Sequence, residues 1–398
     1  MTTTSPRSPA DAQRNATRPP PWRDVRVLRV VAQVVVLAVV GAILAWLLNN
    51  VRSGLAGLGI DTGFSYLDQS AGFQVPGSDF RAGQSRMDAI WVGLGNTLRV
   101  SVAGIVLATV LGVALGVARL SGNFLLRTGA RLYVEAIRNI PLLIIIIFAY
   151  LVVVLQLPPA VEAIEIPGVL VLSNRGNSIT WPTLPDGAGP ALVVALVGLV
   201  AAAATAWWRT RRFDATGIPH HRVGLGLVAF MVAAGAAFVA LGHPIGITVP
   251  EADGRLVAGG MRMGPEYFAL LVSLVLYTAS HIAEIVRGSI QSVPRGQDEA
   301  AKAVALSSGQ RLRFVVLPQA FRIAVPPLAN QYLNLTKNSS LAVAISYFEL
   351  TKITGDLIAN GSPALQSFAL LIVIYLGVSL SIAMLTNLVN RRLTLVER

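Results

Sequence analysis

The chain has 398 residues, 54% hydrophobic and 13% charged, with 32 Lys and Arg against 20 Asp and Glu, a formal net charge of +12, and no cysteine. A soluble domain carries about 25% charged residues, so the composition excludes an ordinary globular protein. The missing cysteine excludes disulfides, thiolate nucleophiles, zinc-thiolate sites and iron–sulfur clusters.

Residues 1–24 are rich in Thr, Ser, Pro and Arg and almost free of apolar side chains, which predicts a disordered tail. The apolar stretch that follows is too long for a signal-peptide core and ends without a small-residue cleavage site. Several runs reach the roughly 20 residues that cross a bilayer as a helix. The pattern predicts an all-α, polytopic membrane bundle of about eight spans, at 27–49, 90–118, 136–157, 190–208, 222–241, 265–287, 319–348 and 364–389. Pro326, Pro327 and several polar residues interrupt the seventh.

Lys and Arg assign the sides. With the N-terminus inside, the inner segments hold Arg14, Arg18, Arg119, Arg127, Arg131, Arg138, Arg211, Arg212, Arg295, Arg311, Arg313 and many more. The outer segments keep only Arg52, Arg81, Arg86, Arg175, Arg255, Arg262 and Lys352. Both termini are therefore expected in the cytoplasm. The outer loops, about 50–89, 158–189 and 242–264, are rich in Gly and Pro. Two readings stand for them: a small cap over the outer mouth, or solvated connectors. Spans four and five with their loops, 158–264, read as a peripheral insertion nearly free of intramembrane polar groups.

Along the second span Gly104, Ala108, Gly112 and Gly116 recur every fourth residue, a spacing that lets helices approach closely. Packing is the favoured reading and a sliding contact the other. Arg99 and Glu135 read as weaker pathway candidates or as interface anchors. Near the end of the sixth span His281, Glu284 and Arg287 lie three apart. One His/Glu pair is insufficient for a metal, so a Glu284–Arg287 ion pair is expected.

Residues 294–318 are polar and helix-prone between two apolar runs. Pro294 and Gly296 break the chain, and Asp298 and Glu299 suit a helix N-terminus. Glu299 and Lys302 are spaced to pair, and Ser307, Ser308 and Gly309 supply a stop. Ala300, Ala301, Ala303, Val304 and Ala305 form a uniformly small face, able to lie very close to another protein. The stretch is built to dock a cytoplasmic partner. Next, Asn330, Asn334 and Lys337 fall at i, i+4 and i+7 on one helical face, widened by Gln331, Asn338, Ser339 and Ser340. A lysine deep in a membrane usually lines a pathway; a hydrogen-bonded seam between subunits is the other reading.

The chain has no G-x-x-x-x-G-K-[ST] phosphate loop, no H-E-x-x-H and no G-x-S-x-G. Nothing implies a cofactor, a metal or nucleic acid, and the protein is not expected to be an enzyme.

"EAAKAVALSSGQRLRFVVLPQA" resembles the cytoplasmic loop of ABC importer permeases: E-A-A, a glycine, then hydrophobic–Leu–Pro. Glu299, Ala300, Ala301, Leu317 and Pro318 match; the family's glycine is Ala305 here, with Gly309 four residues later. "YVEAIRNIPLLI", "YTASHIAEIVRGSIQSVPRGQDEAA" and "LPQAFRIAVPPLANQYLNLTKNSSLAVAIS" are similar to the polar amino-acid uptake branch. "NNVRSGLAGLGIDTGFSYLDQSAGFQV" is similar to its general L-amino-acid subgroup. The resemblance implies a type I importer permease domain over 90–392, preceded by one helix and outer loop at 25–89. It implies a coupling loop at 294–318 whose residues Glu299, Ala300, Ala301, Ala305, Gly309, Leu317 and Pro318 engage an ATPase. The implied partners are that cytoplasmic ATP-binding subunit, a second permease (identical or not), an extracytoplasmic amino-acid-binding protein, and membrane lipid. The candidate substrate path comprises Glu284, Asn330, Asn334, Lys337 and Ser340. An ion-coupled secondary amino-acid transporter is the alternative, and would show inverted repeats and a midplane acid.

Overall fold

The computed structural model describes residues 22, 25–57, 63–183, 230–231, 235, 246–253 and 256–393. The chain divides into two compact units, residues 1–66 and 67–398. The first contains one long apolar helix, α1 (Val25–Gly57). It runs eight residues past the expected end of the first span. The expected tail over 1–24 falls outside the described residues except for Trp22.

The second unit is built on α2 (Arg86–Ala118) and α5 (Pro265–Gln291), which pack more extensively than any other two elements. Ser85 starts α2 with a capping box: its hydroxyl accepts from the Asp88 N–H (3.1 Å) and the Asp88 carboxylate accepts from the Ser85 N–H (3.2 Å). Buried Arg86 then donates to the Gln69 side chain (2.9 Å) and to the Asn360 carbonyl (3.1 Å), pinning the loop that precedes α2. The small-residue stripe faces the neighbouring helices. A Cβ on Gly112 would lie 2.6 Å from Ile282, and one on Gly116 2.8 Å from the Ala283 carbonyl oxygen, so only glycine permits this approach to α5. Fully buried Leu270, Leu274, Ile282, Leu335, Ile146 and Val100 fill the core behind it.

The expected third span, 136–157, is two helices rather than one. α3 (Phe124–Arg138) and α4 (Leu142–Phe148, continuing as a π-helical turn to Val154) meet at a 100° bend. Pro141 lies in the break; it has no N–H to give and disfavours helix at the residue before it. The expected seventh span starts earlier than 319 and survives its prolines. α7 (Ser308–Arg311), a π-helical turn (Leu312–Val316), α8 (Leu317–Asn338) and a 3-10 turn (Ser339–Ile345) form one apolar stretch of 38 residues. Pro326 and Pro327 lie inside α8. After it come α9 (Leu350–Ala359) and α10 (Ala364–Leu393).

Among the described residues five helices are long and apolar enough to cross a membrane, or six with the bent pair counted as one span. The fourth and fifth expected spans, 190–208 and 222–241, lie outside the described residues but for Phe230, Met231 and Gly235.

What the helical reading did not include is strand pairing in the loops at 158–183 and 246–264. β1 (Ile164–Ile166), β2 (Leu170–Leu172), β3 (Asn177–Ile179) and β8 (Met261–Met263) form a four-stranded antiparallel sheet in that order. β4 (Trp181–Thr183) pairs with β5 (Gly246–Thr248), and β6 (Glu251–Asp253) with β7 (Leu256–Ala258). The β3–β8 and β4–β5 pairs join the two loops that flank residues 184–245. The loops at 158–183 and 246–264 are therefore paired with each other rather than free connectors. Three-residue strands leave little periodicity to read.

Candidate functional site

Two regions hold most of the residues singled out from the sequence. The first lies between α5 and α8, where a polar cavity of about 210 Å³ is lined by Tyr277, Thr278, His281, Gln331, Asn334 and Asn338. Helical spacing explains the convergence: 277, 278 and 281 share one face of α5, and 331, 334 and 338 one face of α8. Of the expected path residues, Asn334 lines this cavity. Asn330 and Lys337 lie on the exposed side of α8. Ser340 donates to the Lys337 carbonyl at 2.7 Å, in the turn that follows.

His281, three residues before Glu284, lines this cavity and stands apart from the Glu284–Arg287 pair. Its ring centroid is 4.8 Å from that of Tyr277, and its Nε2 is buried with no hydrogen-bond partner among the described residues. Such an atom costs about 1–3 kcal/mol if left unpaired. The signal was available in the i, i+1, i+4 spacing of Tyr277, Thr278 and His281.

Glu284 points elsewhere. Its carboxylate accepts from both Arg119, at the end of α2, and Arg287. The expected ion pair is present, with a second arginine that no local spacing reveals. A far larger cavity, about 800 Å³, opens between α2, α5, α8 and α10. Leu317, Phe321, Val113, Val286, Leu328 and Leu385 are among its walls, so its surface is overwhelmingly apolar and suits hydrocarbon rather than a zwitterion.

The second region is the loop helix α6 (Arg295–Ala303). It ends in a Schellman motif. The Ala305 N–H donates to the Lys302 carbonyl (2.9 Å), and the Leu306 N–H to the Ala301 carbonyl (3.1 Å). Ala305 itself takes φ 58°, the left-handed conformation usually left to glycine. The stop thus lies at 305, not at the expected Ser307–Gly309. Ser307 instead caps the next helix, its hydroxyl accepting from Gln310.

The expected Glu299–Lys302 pair does not form. Lys302 reaches Asp298 at i−4 (2.7 Å), which also accepts from Arg311 (2.6 Å). The hydrogen bond from Lys302, then Arg311, hold the Asp298 carboxyl below its ordinary range. Glu299 is left exposed without an ion pair among the described residues, beside exposed Ala300, Ala303, Val304 and Ala305. Ala301 turns inward and is buried. Gly309, Leu317 and Pro318 are exposed beyond the bend.

A buried carboxylate escaped the sequence reading. Glu349 is fully buried; it caps α9 by accepting from the Lys352 N–H (2.9 Å) and also accepts from the Tyr375 hydroxyl (2.7 Å). Burial pushes its carboxyl up, against those hydrogen bonds. No group of three or more metal-ligating side chains occurs among the described residues.

Residues 104–395 match the family model described as "Binding-protein-dependent transport system inner membrane component". The chain is 38% identical to the general L-amino acid transport system permease protein of Rhizobium johnstonii, over 92% of each chain. It is 38% identical to a putative amino-acid ABC transporter permease protein of Escherichia coli, over 91% of this chain and 93% of that one. A glutamate/glutamine/aspartate/asparagine transport system permease protein of Rhodobacter capsulatus is 36% identical, over 94% of this chain and 96% of its own.

Proposed function

Since the chain belongs to the binding-protein-dependent transport system inner membrane components, we propose that it is the permease subunit of an ATP-driven importer of L-amino acids. The observation that carries this is near-full-length identity of 36–38% to amino-acid permeases. Nothing found supports the ion-coupled alternative. The protein is a multi-pass component of the inner membrane. The arginine asymmetry supports cytoplasmic termini, which puts α6 on the cytoplasmic side.

On this reading α6 is the coupling helix. Its exposed small face and Glu299 meet the ATP-binding subunit, while Ala301 anchors it and Leu317 and Pro318 carry motion into α8. The uncovered Asn330, Asn334 and Lys337 face a second permease. A lysine left to lipid costs several kcal/mol, and two such faces enclose a hydrated path with groups for carboxylate and ammonium. His281, Gln331 and Asn338 extend that path inward from Asn334. Glu284, gripped by two arginines, serves it by holding α2 to α5 at the inner end.

The test is reconstitution. In vesicles the chain alone neither hydrolyses ATP nor accumulates amino acids under a proton or sodium gradient; both activities require the ATPase, a binding protein and any second permease. Gradient-driven accumulation by the isolated chain would overturn the importer reading.

A further inference from the structure

At the foot of α2, α3 and α5 a cavity of about 300 Å³ is lined by Arg119, Arg127, Arg131, Arg287, Glu135 and Gln291. Four guanidiniums here meet two carboxylates. Arg119 and Arg287 share Glu284, and Arg131 pairs with Glu135 (2.8 Å). Arg127 has no ion pair among the described residues and donates only to the Ser121 carbonyl, at 3.0 Å. The pocket keeps an uncompensated positive charge. Its depth is set by the helices: Arg119 directly follows Ala118, the last residue of α2, and Arg287 is one turn from the end of α5. Phe124, Leu125, Leu126 and Leu132 stand exposed on α3, so apolar surface adjoins the charge.

We propose that this pocket binds the phosphate headgroup of an anionic phospholipid, with the acyl chains along the exposed apolar side chains of α3. Guanidinium forks match phosphate oxygens in pairs. Basic pockets between membrane helices on the cytoplasmic side take anionic headgroups, and the orientation proposed above puts this one there. An acidic protein segment would meet the same charge but would not explain the exposed Phe and Leu beside it. By sharing Arg119 and Arg287 with Glu284, the headgroup bears on the contact between α2 and α5.

The assembled complex in detergent, titrated with phosphatidylglycerol or phosphatidylcholine and read by native mass spectrometry, tests this. Wild type retains phosphatidylglycerol in preference to phosphatidylcholine, and free inorganic phosphate does not substitute for the lipid. Arg127→Gln with Arg131→Gln weakens retention about thirtyfold, whereas Arg138→Gln, on the same helix outside the pocket, leaves it unchanged. Arg127→Gln alone, which removes one exposed side chain, gives a smaller loss with an unchanged melting temperature and guards against misfolding of the double variant. Undiminished retention by the double variant, or equal retention of both lipids, would overturn the proposal. Loss of the ATPase subunit with lipid retained would make the pocket a protein-docking surface instead.

Discussion

Ala305 sits at φ 58° where glycine is cheapest, because the Schellman turn that ends α6 demands a left-handed residue there. An L-alanine pays about 1–2 kcal/mol for that conformation. Ala305→Gly should therefore stabilise the loop by about 1 kcal/mol, seen as slower amide exchange over 299–306 with no change in membrane insertion. A faster exchange would mean that the turn is not the one described. The departure at 305 was legible in the sequence, but not its resolution, since hydrogen bonds to Lys302 and Ala301 settle the backbone there. His281 teaches a similar lesson. It lies three residues before Glu284, yet a helix turns residues three apart by about 300°, and packing decides which of them meets another helix.

The elements owe their placement to small residues and to breaks. Gly112 admits Ile282 at a distance no Cβ allows. Gly112→Ala should lower stability by about 1–3 kcal/mol, while Gly95→Ala on the same helix, with nothing within 4 Å, should raise it by about 0.5–1 kcal/mol. Thermal melts of the purified protein decide between them, and equal melting would mean that α2 and α5 give way freely. At α6, Asp298 carries the loop's ion pairs and Glu299 carries none. Glu299→Lys should leave insertion intact and weaken capture of the ATP-binding subunit about tenfold, as charge reversal at a docked face does. Full capture and uptake would remove α6 from the coupling role. The 100° bend between α3 and α4 was hidden because the expected span began at 136, within the last turn of α3, and only Pro141 hinted at a break.

For the whole molecule, the transport path proposed above rests on surfaces that one chain leaves uncovered. Lys337→Met keeps the stem and deletes the charge. The assembled complex should form normally but take up substrate about tenfold more slowly, the loss of one charged contact worth roughly 1.5 kcal/mol. Unchanged uptake would make the polar face of α8 a structural seam. The sequence alone determined that the chain lies in a membrane, because long apolar runs and sparse charge leave lipid as the only medium in which it is stable. It also marked the loop at 294–318 and the face carrying Asn330, Asn334 and Lys337, because helical periodicity is local and survives any packing. Tertiary structure decided what periodicity cannot carry. Arg119 reaches Glu284 from 165 residues away, β3 pairs with β8 across 84 residues (Ser178 to Arg262), and His281 opens onto α8. Such contacts depend on which helix faces which, a property of the packed whole rather than of any segment.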